Sequence, residues 1–112
     1  MTMSDTAEIL DRAADILRFE KEWGQGRWED ASGAICGGQA IRLAATERVP
    51  AVLRPNTDVA LLLGGGCDAW RALHRHVGQD VVHFNDAKGR TKDEVIDALA
   101  SAAKEIREFG EA

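Results

Sequence analysis

Cys36, the histidines at 74, 76 and 83, and the pair Asn85-Asp86 are the residue types from which nucleophilic catalysis is built. A cysteine placed just before a helix gains from the macrodipole and from free N–H groups, which stabilise a thiolate. Cys36 precedes an expected helix, His74, His76 or His83 could serve as its base, and Asn85 or Asp86 could orient the imidazole. Nothing in the spacing enforces that geometry, and a buried, inert cysteine is the commoner outcome. No catalytic role is therefore assigned, and Cys36, His83 and Asp86 stand only as the candidates for a thiol hydrolase or transferase.

Metal chemistry draws on the same residues with less support. No C-x-x-C or H-x-x-x-H pair is present, and structural zinc sites usually show such spacing. His74 and His76 are two apart on an expected helix, so they point to different sides. No metal and no cofactor are expected. Two glycine runs, Gly33 to Gly38 and Gly64-Gly65-Gly66, match neither the nucleotide-binding loop nor the dinucleotide fingerprint. The first precedes a helix and could present N–H groups to an anion. Both read as turns.

Binding chemistry has better material. Trp28 stands beside Arg27 in a glycine-bounded loop, an aromatic and a guanidinium of the kind enriched at interfaces. Asn85, Asp86 and Arg90 fill a second polar loop. There Asp86 and Arg90 are close enough in sequence to pair, and Asn85 can bond to backbone two residues on. Trp23 and Trp70 read as core.

These residues need elements to hold them. Leu10, Ala13, Ala14 and Leu17, widened by Ile9, Ile16 and Phe19, predict a first helix from Ser4 or Asp5 to about Glu22. Glu8 and Arg12 are set for an i,i+4 pair upon it, and Gly24 can close it. Residues 27–36 leave room for a short β-hairpin turning at Asp30-Ala31-Ser32-Gly33. A second helix is predicted over Gln39 to Arg48, a short one over Val59 to Leu63, and another from Ala69 to about Val77. Val81 to Phe84 reads as extended or irregular. Thr91 and Glu94 have the spacing of a capping box, and Val95, Leu99, Ala102, Ala103 and Ile106 continue it into a long final helix. The fold class is mainly α: one small domain over 1–112 with four to five helices, the first and last packed together.

Composition agrees. The 112 residues suit one domain, and an apolar share rich in alanine favours close-packed helices. No apolar run reaches the roughly 20 residues needed to span a bilayer, the N-terminus lacks a secretion signal, and two cysteines read as reduced cytoplasmic thiols. Net charge is −5. Residues 1–22 and 92–112 each carry six acids and three bases, while the stretch between has seven acids and eight bases. Acidic outer helices do not suit a nucleic-acid binder, which needs a basic face.

Taken together, several motifs resemble a family of short actinobacterial and actinophage proteins catalogued as a domain of unknown function. They are Trp23-Gly24-Gln25-Gly26, then Gly33 and Cys36 before an Ala-rich helix, then Phe84-Asn85-Asp86 and Gly89-Arg90-Thr91 before the last helix. Phe84 stands where that family usually has Trp, and Gln39 where it tends to have Gly. The resemblance spans roughly residues 7–107 and implies a single mainly helical domain without an established activity. The expected function is a small cytoplasmic accessory protein, possessing no membrane segment, that binds a host protein or a second copy of itself. The alternatives are a Cys36-dependent enzyme and a small-ligand binder.

Overall fold

A computed structural model of the chain describes residues 3–55 and 64–110. Among the described residues are five α-helices and no sheet: α1 (Met3–Asp15), α2 (Gly37–Thr46), α3 (Gly66–Val77), α4 (Val81–Asp86) and α5 (Lys92–Phe109). The helix expected over Val59 to Leu63 lies outside the described residues. The core joins α1, α2, α3 and α5 through Leu10, Leu17, Ile41, Leu73 and Leu99, all fully buried. Alanines such as Ala13, Ala44 and Ala103 fill the spaces between them. Small side chains let helix axes approach closely, and α1 against α5 is the most extensive pairing, as the two amphipathic patterns require.

Each helix end has a local cause. α1 begins at Met3, so Asp5 lies within its first turn rather than capping it. It then widens into a π-helical turn, Ile16–Glu20, closed by Lys21 N donating to Ile16 O at 2.8 Å. The wider turn holds an extra residue and rotates its later positions away from the buried arc. Phe19, expected in the core, is accordingly 75% exposed. The Glu8–Arg12 pair is also absent. Arg12 binds Glu20 and Glu47, and Glu8 accepts from Arg48, so both charges tie α1 to α2 or to its own end. Such half-exposed ion pairs fix register more than they add stability.

The segment expected to be extended over Val81 to Phe84 is instead α4. Asp80 caps it, its Oδ2 accepting from Val82 N at 3.1 Å and His83 N at 3.3 Å. α5 starts at the predicted capping box: Glu94 N donates to Thr91 Oγ1, and Thr91 N donates to Glu94 Oε1. The hairpin over 27–36 does not form as paired strands. Single bridges join Trp23 and Glu29 to Ile35, and Asp30 Oδ1 builds the turn by accepting from Ser32 N and Ala34 N. Two strands this short, with no third neighbour, are marginal in water. The loop takes its shape from α4 instead.

Candidate functional site

Asn85 is where the loop and α4 meet. It is fully buried, one of two buried polar residues in the described structure, and every hydrogen-bonding group of its amide is used. Oδ1 accepts from Trp23 Nε1 at 2.7 Å and from Gly37 N at 2.8 Å. Nδ2 donates to Gly24 O at 3.1 Å and to Asp86 Oδ1 at 2.9 Å. Asp86 Oδ1 also accepts from Gly26 N, while Gln25 Nε2 donates to the carbonyls of Asn85 and Ala87. A buried amide without these partners would carry the full cost of desolvation. The expectation that Asn85 bonds two residues on, and Asp86 to Arg90, is therefore corrected: their main partners are far away in sequence.

The clasp sets a small cavity of about 130 Å³ against the surface, lined by Gly26, Arg27, Trp28, Cys36, Val82, Asn85 and Asp86. Five residues singled out from the sequence thus converge: Arg27, Trp28, Cys36, Asn85 and Asp86. His83 and Arg90 are not among its walls. His83 is exposed on α4. Arg90 lies with its guanidinium 4.0 Å from the ring centre of Phe84 and its Nε donating to Phe84 O at 2.8 Å.

Cys36 caps α2, its Sγ accepting from Gln39 N at 3.3 Å. The side chain is buried, and that burial pushes the thiol's pKa up, with the Asp86 carboxylate adding to the rise against the backbone N–H groups that favour the thiolate. The environment favours the neutral thiol, the reverse of the activation expected from the helix terminus alone. The N–H groups that could have met an anion, the alternative to a plain turn, are spent: Gly37 N on Asn85, Gln39 N on Cys36, and Cys36 N on Trp28 O. Among the described residues no three His, Cys, Asp or Glu side chains gather as a metal set.

A family of unknown function (DUF6197) has a model that matches residues 1–105. The chain belongs to the DUF6197 family. No curated protein and no solved structure matches it.

In this DUF6197 chain the aromatic residues form the outward part of the site. Trp28 is 43% exposed, its ring centre 5.7 Å from that of Trp70 at an interplanar angle of 48°. Arg42 lays its guanidinium 4.8 Å from the Trp28 ring centre. Beneath the pair is Gly38, where a Cβ would stand 2.6 Å from Trp70 and 2.9 Å from Trp28. Trp70 borders a second hollow with Cys67, Arg71 and His74. Trp70 and Trp23 are half-buried and pack against the core, and both have a ring or hydrogen-bond partner. Sequence reasoning misses Arg42 and Gly38. Their four-residue spacing on α2 places them on one face, but only the fold brings Trp28 to that face.

Proposed function

We propose that this chain is a small binding protein whose Trp28–Trp70 face docks a protein partner. The observation that carries the reading is Trp28 itself: a large aromatic held half in solvent, fixed on one side by Arg42 and on another by Trp70. Rigid, partly exposed Trp with neighbouring Arg is the composition of interface hot spots. Val82, 38% exposed on the rim of the Cys36 cavity, extends the apolar area. The Cys36 cavity, about 130 Å³, is well below the roughly 300–1,000 Å³ typical of small-ligand pockets and suits a partner's side chain. The hollow beside Trp70, about 380 Å³, reaches that range, so the preference for a protein partner rests on Trp28. The buried, neutral Cys36 gives a thiol enzyme less support.

The partner is a host protein or a second copy, and the setting is the cytoplasm, in keeping with the unpaired thiols of Cys36 and Cys67. Photocrosslinking tests the reading directly. A photoreactive phenylalanine analogue at position 28 yields a protein adduct in cells, and the same analogue at exposed position 19 does not. Equal adducts from both positions, or none from either, would overturn it.

A further inference from the structure

Arginine pairing across the molecule is uneven. Arg12, Arg18, Arg48, Arg71, Arg90 and Arg107 each hold a carboxylate, and Arg54 holds two backbone carbonyls. Arg27 and Arg42 make no hydrogen bond or ion pair to another described residue. In a chain with 19 acids to 14 bases, one of these guanidiniums lies on the exposed Trp28 ring and the other residue lines the same cavity as that ring. Arg42 stacks on Trp28, with its Nε buried and unpartnered, and Arg27 precedes Trp28 in the chain. Carboxylates do stand nearby, but each has other donors. Asp86 accepts from Gly26 N and Asn85 Nδ2. Asp30 accepts from Ser32 and Ala34 and feels the Arg27 charge only through space, without a hydrogen bond. Exposed Glu29 pairs with neither arginine.

We infer that the Trp28 face recognises an acidic segment of a different protein, with Arg42 and Arg27 as the groups that hold its carboxylates. The inference rests on the docking reading above and adds the chemistry of the partner. A guanidinium stacked on an aromatic ring is pre-oriented and less hydrated than an ammonium, so it loses little freedom when it takes a carboxylate. An apolar residue beside the acid fits the neighbouring hollow, which Trp28 and Val82 wall. Nucleic acid is a poorer occupant, because its many phosphates must approach a chain of net charge −5. A second copy is a poorer one too, since many of its acids are already paired, as Asp11 is with Arg107 and Glu105 with His76.

The test uses the full chain as bait for a displayed library of short random peptides. Selected peptides are then synthesised and titrated against wild type, Arg42→Gln, Arg27→Gln and Trp28→Ala, with helix content checked by circular dichroism. The expected peptides carry an excess of Asp and Glu beside an apolar residue. They lose about tenfold or more in affinity with either arginine variant, the scale of a lost charge-assisted hydrogen bond. Raised salt weakens them further. Arg27 lies in an exposed loop, so its variant keeps the test decisive should Arg42→Gln disturb α2. Peptides without acidic excess that bind Arg42→Gln and Arg27→Gln as well as wild type, yet fail on Trp28→Ala, would overturn the acidic partner and leave the docking face standing. Binding untouched by Trp28→Ala would overturn both. No selectable peptide, a preference for an oligonucleotide, or self-association abolished by the arginine variants would each overturn the proposed partner.

Discussion

The indole Nε1 of Trp23 donates a 2.7 Å hydrogen bond to the side-chain oxygen of Asn85, 62 residues further along the chain. That bond, with the one from Gly37 N, holds the end of the first helical segment, the start of α2 and the end of α4 at a single buried amide. Three separate stretches of chain therefore depend on one side chain for their mutual placement.

Replacing Asn85 by Ala strands the indole N–H, the Gly37 N–H and the Gly24 carbonyl at once. The expected loss is roughly 2–4 kcal/mol, the cost of leaving several buried polar groups unmatched. Urea unfolding followed by circular dichroism measures it. A loss within about 0.5 kcal/mol, the range of ordinary surface changes, would show that the amide is not structurally required.

Gly38→Ala sets two tendencies against each other. Alanine gains up to about 0.5–1 kcal/mol over glycine in a helix interior, and less in the first turn, where Gly38 lies. Here its Cβ would press against the rings of Trp70 and Trp28 at 2.6 and 2.9 Å, and overpacking costs about 1–3 kcal/mol. The half-exposed Trp28 ring can move outward, but Trp70 packs against the core, so net destabilisation is expected, together with a red-shifted tryptophan emission as Trp28 is pushed outward. Unchanged emission and a raised melting point would contradict this.

Thiol labelling separates the cysteines. Cys67 is half-buried and Cys36 buried with its pKa raised, so iodoacetamide modifies Cys67 first and Cys36 only on unfolding. A thiol whose pKa rises on folding favours the protonated form. Its contribution is thus complete below the ordinary value of 9.0 and is lost as pH climbs through the raised one. Cys36→Ser is expected to flatten the alkaline limb of the stability curve. Faster labelling of Cys36 than of Cys67 in the native protein would contradict the buried assignment.

Thr91→Ala removes the cap of α5 and is expected to cost about 1 kcal/mol. Glu94 is its reciprocal partner, and the Thr91 backbone N–H holds that carboxyl below its ordinary pKa. A lowered folded-state pKa stabilises above the ordinary carboxylate value, and the benefit fades as pH falls through the lowered one. Thr91→Ala keeps that backbone N–H, so the variant that removes the acid sensitivity is Glu94→Gln. Identical acid limbs for Glu94→Gln and wild type in urea unfolding would remove Glu94 from that account.

What the sequence can disclose depends on the range of each interaction. The α5 cap and the stripe from Val95 to Ile106 are local, three to four residues at a time, and they stand where the spacing places them. α4 has only six residues, too few for periodicity to separate helix from strand, and its decisive cap at Asp80 lies outside the motif. Asn85 misleads for a related reason: proximity in sequence matches its side chain to nearby backbone, while its main partners stand 48 to 62 residues away. Gly37-Gly38 reads as a turn, yet both glycines lie in the first turn of α2, giving way to Val95, Trp70 and Trp28. The residue types around the Cys36 cavity are visible in the sequence, but their convergence depends on an amide bonding across the fold.

Residues 25–28 have no helix or strand of their own, so their shape is borrowed from a segment that is synthesised much later. While a ribosome is still short of Val81, Asn85 and Asp86 do not yet exist to hold Gln25 and Gly26, and Trp28 has only Arg42, Trp70 and the Cys36 N–H to position it. A fragment ending before α4 would carry Trp28 and Trp70 without the cavity wall that Val82, Asn85 and Asp86 supply.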